Sequence, residues 1–366
     1  MGRTSTQVNM KGVLLAGGTG TRLYPITHTG PKQLVPVANK PILEYAIEDF
    51  KEAGITEIGV VLGHKGRDAI QEYLGDGSRF DVDITYLVQG DPLGLAHAVG
   101  CAKDFVGNSP FVVYLGDDLM REGISDMVSD FNSEEYAAGI GLQAVDEPSR
   151  YGVVDRDQSG DITELIEKPD DPPSNLALIG IYIFTPAIFD RIERLEPSWR
   201  GELEITDAIQ GLLDDGYQVQ SHVVSGWWKD TGKPGDILHA NRLVLDSINH
   251  DIAGTVEDEE SVTGRVEVHE GAVIEAGAVI RGPASIGPNT QVGSNAYIGP
   301  YTSIGSDSRI DNIHIESSVT IGDNEITANK TVVDSLIGRQ ATITSSENEQ
   351  PAGSKMIIGR NSTLEL

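Results

Sequence analysis

The C-terminal third of this chain repeats every six residues, a period that fits neither a helix nor an ordinary sheet. Val268, Ile274, Ile280, Ile286, Val292, Ile298, Ile304 and Ile310 are aliphatic without exception, and glycine follows four of them, at Gly287, Gly293, Gly299 and Gly305. The fifth place of each hexad is small: Ala272, Ala278, Ala284, Thr290, Ala296, Thr302 and Ser308. Helices and half-buried strands repeat at about 3.6 and 2 residues. A hexad with one aliphatic and one small residue marks a parallel β-helix instead: the aliphatic points inward, and the small residue lets the chain turn a corner. The phase slips by one residue between Ile310 and Ile315 and resumes through Ile321. Ile337-Gly338 and Ile358-Gly359 continue the theme around a polar insert at 345–353.

The repeat resembles the left-handed type of β-helix, in which three hexads make one triangular coil. It is expected to occupy residues 261–366, behind an acidic linker at 251–260. Residues 10–250 follow a different rhythm. Val13 to Ala16, Glu57 to Leu62, Ile84 to Val88 and Phe111 to Leu115 are strand-like; Ile42 to Ala53, Arg67 to Leu74 and Leu95 to Phe105 have helical spacing. Strands alternating with helices predict a largely parallel sheet with helices on both faces. Ligands of such sheets bind beyond the carboxyl ends of strands, where the polar segments 17–22 and 116–118 fall. Residues 1–9 are polar and read as a flexible extension.

Leu14-Leu15-Ala16-Gly17-Gly18-Thr19-Gly20-Thr21-Arg22 follows the first strand directly. Glycines let backbone N–H groups approach an anion, and Arg22 adds a fork of donors for phosphate oxygens. The loop is not a Walker loop, because no Lys-Ser/Thr pair follows at the right spacing. It is not the dinucleotide fingerprint either, since Leu23 stands where the third glycine belongs. Ten residues past Arg22 comes Pro31-Lys32-Gln33-Leu34, in a chain with only 11 lysines against 16 arginines.

Gly17-Gly18-x-Gly20-Thr21-Arg22 together with Pro31-Lys32-Gln33-Leu34 resembles the sugar-1-phosphate nucleotidyltransferases. Gln89 with Pro92-Leu93-Gly94-Leu95-Ala96, Leu115-Gly116-Asp117, Tyr151-Gly152-Val153, Glu167-Lys168-Pro169, 201–207 and Trp228-Lys229-Asp230-Thr231-Gly232 extend the resemblance in order. It is strongest to the long-form glucose-1-phosphate thymidylyltransferases, which carry a hexad-repeat tail. That resemblance implies a Rossmann-like α/β domain with a mixed sheet, followed by the left-handed β-helix. It implies transfer of a nucleotidyl group from dTTP to glucose 1-phosphate, with UTP as the alternative nucleotide. It also assigns roles. Asp117 and Asp230 would hold Mg²⁺, with Asp118 the rival of Asp117. Arg22, Lys32 and Lys168 would act on phosphates as catalytic cations. Leu15, Gly17, Gly18, Gly20, Thr21, Gln33, Gln89 and Gly94 would contact the nucleotide. Tyr151, Gly152, Glu167, Lys168 and Glu202 would contact the sugar phosphate. Trp227 and Trp228 read as core or pocket wall.

Two other classes compete. Many β-helices are acyltransferases, but His269 and His314 read better as packing or surface residues, so oligomerisation or regulation is the preferred role for the coils, with a homo-oligomer expected. A non-catalytic nucleotide-sugar sensor would lack Arg22, Lys32 or the two aspartates, and all are present.

Charge narrows the partners. Acidic residues number 56 against 27 basic ones, a net charge of −29, which repels nucleic acid polymers. The single cysteine, Cys101, excludes an intrachain disulfide and a multi-cysteine metal site. No charged-then-apolar leader opens the chain and no apolar run reaches membrane-span length, so a cytoplasmic protein without a membrane partner is expected. So acidic a surface belongs either to an ordinary acidic enzyme or, the preferred reading, to one adapted to high salt, where a Debye length of about 3 Å at 1 M removes self-repulsion. The melting temperature is therefore expected to rise from dilute buffer to molar KCl; an unchanged value would count against salt adaptation.

Overall fold

The structure is a computed structural model that describes residues 10–345 and 361–365; the extension at 1–9, most of the polar insert and Ile358-Gly359 lie outside the described residues. The described residues form two compact units, 10–19 with 43–229 and 20–42 with 230–345 and 361–365.

The first unit is built on a nine-stranded mixed sheet. Its path runs Ile162–Glu167, Gly152–Arg156, Leu176–Phe184, Phe111–Leu115, Lys11–Leu15, Glu57–Leu62, Asp83–Val88, with Ala138–Ala144 also pairing with Leu176–Phe184 and Val219–Val223 pairing in turn with Ala138–Ala144. The four strands from Phe111–Leu115 to Asp83–Val88 are parallel. Leu176–Phe184 then pairs antiparallel with Phe111–Leu115, which turns a parallel sheet into a mixed one. Lys11–Leu15 lies at the centre, and Val13 and Leu14 are fully buried, as an apolar run covered on both faces requires. The helix Ile42–Glu52 ends as its sequence predicts: Gly54 takes φ +77°, its N–H bonds Lys51 O, and Ile55 N–H reaches back to Phe50 O at 2.8 Å. That paired closure satisfies carbonyls the helix end would leave open. Across the sheet, Phe111 stacks on Phe189 with centroids 5.3 Å apart.

The second unit carries the β-helix as three parallel sheets of six, six and five strands. Ile280 pairs with Ile298 and Val292 with Ile310, eighteen residues on, so three hexads make a coil. All eight inward aliphatics are 0–1% exposed, and the seven small fifth-place residues 0–3%. Most corners turn through a left-handed residue, among them Asn289, Asn295, Tyr301 and Asp307, a conformation that asparagine and aspartate tolerate better than most.

Two expectations need correction. The acidic stretch 251–260 is not a linker: Asp251–Ile252 pairs with Glu267–Val268 and Thr255–Val256 with Val273–Ile274, so it forms the first coil. Its charged side chains face solvent while its backbone joins the ladder. The phase also slips three times, not once, with five-residue steps before Ile315, Thr320 and Ile337. Ile315 aligns with Ile298, but the next inward place is Thr320, aligned with Ile304, and Ile321 is half-exposed. Thr320 is tolerated inside because its Oγ1 accepts Gly305 N–H at 3.0 Å. Among the described residues no helix is long and apolar enough to cross a membrane.

Ile298 has no exposed surface. Ile298→Ala is expected to cost about 2–5 kcal/mol, read as a lower urea midpoint for the β-helix transition; an unmoved midpoint would mean that the coil closes over the gap.

Candidate functional site

Parallel pairing fixes the first group of site residues. Ala16 N–H bonds Val61 O at 2.9 Å and Gly116 N–H bonds Leu15 O at 3.0 Å. Gly17 and Asp117 therefore leave the carboxyl ends of adjacent strands. A Cβ on Gly17 would lie 2.9 Å from Gln89 Oε1, and one on Gly63 only 2.7 Å from Gly17 O. Gln89 is 6% exposed; its Nε2 lies 3.4 Å from Gly94 O and 3.2 Å from His97 Nδ1. Gly94 has φ +123°, and a side chain there would sit 2.5 Å from the backbone of Leu203. Leu203 N–H bonds Leu93 O, and Ala96 N–H bonds Leu203 O, so only glycine fits the crossing. The structure thus gathers Gly17, Gln89 and Gly94 and adds His97 and Gly63, which the sequence did not single out. Gly18 is exposed.

The two neighbouring aspartates separate cleanly. Asp118 is 2% exposed and packs where a Cβ on Gly180 would overlap its carboxylate. Asp117 is half-exposed, which suits a carboxylate that meets a ligand.

A second group surrounds Glu167. Gly152 and Glu167 pair across antiparallel strands, and a Gly152 side chain would collide with Thr206 Cγ2 at 2.7 Å. Lys168 holds φ +44°, its N–H bonded to Tyr151 O at 3.0 Å, and its Nζ donates to Glu167 Oε1 at 2.7 Å. Arg200 is the centre that sequence reading missed. Its Nη1 lies 3.3 Å from Glu167 Oε1 and 3.2 Å from Glu204 Oε1, and its Nη2 lies 3.2 Å from Glu202 Oε1. One guanidinium so offsets three carboxylates that would otherwise repel. Its only sequence signal was its place just before the 201–207 motif. Tyr151 packs edge-on against Trp228, ring centroids 5.4 Å apart, in keeping with the pocket-wall reading.

The third group belongs to the second unit. Gly20 has φ +65°, and a Cβ there would lie 3.1 Å from Lys32 Cβ and 3.2 Å from Thr27 Cγ2. Thr27 Oγ1 donates to Gly20 O at 2.6 Å. The loop thereby rests on the Lys32–Leu34 turn. Gln33 is 1% exposed, and among the described residues neither polar atom of its amide has a hydrogen-bond partner; a buried amide left open in this way is a ready contact for a ligand. A Gly232 side chain would meet Arg22 Nη2 at 2.8 Å and Asp230 Oδ1 at 3.1 Å, so this cation and this carboxylate flank one glycine. Thr21 and Arg22 are exposed.

Among the described residues no cluster of three or more His, Cys, Asp or Glu side chains could hold a metal by itself. A cation held here would draw its remaining ligands from water and phosphate. That is the habit of Mg²⁺, which takes one or two carboxylates.

The chain matches the family model described as Nucleotidyl transferase over residues 11–247, and that of the Bacterial transferase hexapeptide (six repeats) over residues 265–300. The low-salt glycan biosynthesis nucleotidyltransferase Agl11 of Haloferax volcanii is 62% identical over 98% of this chain and 100% of its own length. A glucose-1-phosphate thymidylyltransferase of Streptomyces antibioticus is 46% identical over 98% of this chain and 99% of its own. A Bacillus anthracis structure with sucrose, provisionally described as a glucose-1-phosphate thymidylyltransferase, superposes with TM-score 0.61 at 41% identity, over 66% of this chain and 97% of its own. A UDP-glucose pyrophosphorylase complexed with UDP-glucose gives TM-score 0.58 at 30% identity, over 65% of this chain and 99% of its own.

Burial pushes the Glu204 carboxyl above its ordinary range, with the Ser198 hydrogen bond opposing, and burial with nearby Glu167 does the same to Asp207. A carboxyl raised on folding binds more protons in the folded state, so its contribution to stability falls as pH rises above the unfolded value of 4.5 for Glu204. Glu204→Gln is expected to lose less stability than the parent as pH climbs from 4.5 toward neutrality. Parallel slopes in urea melts would refute this assignment.

Proposed function

Because this chain belongs to the nucleotidyl transferase family, we propose that it couples dTTP to glucose 1-phosphate, giving dTDP-glucose and pyrophosphate. The observation that carries the reading is the Glu167–Lys168–Arg200 cluster, a site of paired charge suited to a sugar phosphate. The two-substrate chemistry needs a second cationic site for the triphosphate, and Arg22, Lys32 and Gln33 are its candidates. Likeness to the Streptomyces enzyme over nearly its whole length supports dTTP. The likeness to a UDP-glucose pyrophosphorylase keeps UTP as the second reading. The sugar nucleotide would serve glycan synthesis, as the name of the Haloferax relative has it for that protein.

The nucleophile is a phosphate oxygen of the sugar phosphate, already anionic, so no general base is required. Its lone pair forms a bond to the α-phosphorus while the α–β bridging bond breaks and pyrophosphate keeps the electron pair. The barrier is electrostatic, an anion attacking a polyanion, and alignment with charge neutralisation lowers it. In this reading Arg22 faces the β- and γ-phosphates, where charge grows; one such arginine is worth roughly 10³–10⁵ in rate. Lys32 lies by the reacting phosphates and Lys168 grips the incoming phosphate. Glu167, Glu202, Tyr151 and the backbone at Gly152 meet the hexose, while Gln89 and Gly94 meet the base, with Leu15, Gly17, Gly18, Gly20 and Thr21 along the nucleotide. Asp117 and Asp230 would hold Mg²⁺, which when bound neutralises phosphate charge.

The decisive assay measures pyrophosphate release with dTTP, UTP, ATP, CTP and GTP against several sugar 1-phosphates, in high salt, with Mg²⁺ and then with EDTA. Turnover is expected with dTTP and glucose 1-phosphate, and EDTA should stop it. Asp117→Asn, Asp230→Asn and Arg22→Ala are each expected to abolish turnover in a folded protein. Near-parental rates in any of them would remove its role, and silence with every substrate pair would remove the reaction.

A further inference from the structure

The coils have one face that should be wet and is not. In the sheet that runs from Asp251–Ile252 to Leu336–Ile337, Glu267, Ser285, Ser303 and Val319 align in register. They alternate with the inward aliphatics, so they point out of the prism. The matching column of the next sheet, Gln291, Arg309 and Glu325, is exposed as expected. Ser285 and Ser303 have no exposed surface at all.

What covers them is the helix Pro234–Leu245 and the hairpin of Pro36–Val37 with Lys40–Pro41. The hairpin turn is Ala38-Asn39, both residues with left-handed φ, +47° and +64°. Asn39 Nδ2 donates to Ser285 O at 3.1 Å and to Ser285 Oγ at 2.9 Å. Asn241, on the helix and 1% exposed, joins three elements. Its Oδ1 accepts Ala38 N–H at 2.9 Å and Ser303 Oγ at 2.7 Å, while its Nδ2 donates to Tyr301 O at 3.1 Å. Such a network is directional and costly to leave half-made, so it specifies one docked position. An alanine at positive φ persists only where its surroundings over-determine it. The same segment, a few residues earlier, carries Lys32 and Gln33.

We infer that this coil face is a positioning surface for the nucleotide: Asn39, Asn241, Ser285 and Ser303 fix the hairpin, and through it the Lys32–Gln33 turn. The role rests on the proposed reaction, since it assigns those two residues to the triphosphate. It makes the β-helix a working part of the triphosphate end, with no influence on the sugar end built around Glu167 and Arg200.

Asn241→Ala removes three bonds from a buried site and risks the fold, so the test uses milder changes in the full chain. Asn39→Gly deletes the amide and keeps the left-handed turn at no steric cost; Ser303→Ala deletes one hydroxyl. In the double variant kcat/KM for dTTP is expected to fall about tenfold, with KM for glucose 1-phosphate unchanged. Deuterium exchange over residues 31–41 should quicken without substrate present. Equal rises in both KM values, or parental kinetics and exchange, overturn the positioning role. If the parent itself makes no sugar nucleotide, the reaction reading fails, while the exchange result still decides whether the coil face holds the segment.

Discussion

The arrangement depends on parallel, in-register pairing of three strands, Lys11–Leu15 between Glu57–Leu62 and Phe111–Leu115. Parallel strands deliver all their exits to one edge of the sheet. That is why the glycine loop and the Gly116-Asp117 turn emerge beside one another, and why Gln89, which follows the strand Asp83–Val88, comes against Gly17. Were any of these strands reversed, its terminal residue would be carried to the opposite edge. The full burial of Val13, Val60 and Val113 is what keeps the register from slipping.

Close approach is the second theme. Gly17, Gly63, Gly94 and Gly152 each stand where another segment passes too near for a side chain. These are not flexible points but places where two backbones, or a backbone and a side chain, nearly touch. The site is therefore shaped as much by what is missing from the glycines as by the groups that face a ligand. The acidic cluster shows the complementary rule: Glu167, Glu202 and Glu204 coexist because Arg200 stands among them.

Much of this was legible in residue order. The hexads gave every inward residue from Val268 to Ile310, because an all-apolar prism interior leaves a strictly periodic trace. The trace failed at Thr320, where a polar residue satisfied by a backbone N–H takes an inward place beside a misleading Ile321. It failed also at 251–260, because two-residue strands are too short to show alternation and their charged neighbours look like linker. In the site, the glycine loop, Gln89 and Glu167-Lys168 were readable from motif and position. Arg200 and His97 were not, since an isolated basic residue acquires meaning only from partners that the fold brings to it. Nothing in composition suggested that residues 20–42 would pack with the coils; that is decided by Asn39 and Asn241, two ordinary-looking amides.

Segregation of the binding groups has a corollary. The cluster around Glu167 and Arg200 is made entirely within residues 151–207, whereas Arg22, Lys32 and Gln33 fold together with the coils. On the proposed reading, the side chains that meet the hexose lie in one stretch and can be exchanged without touching those assigned to the nucleotide tail.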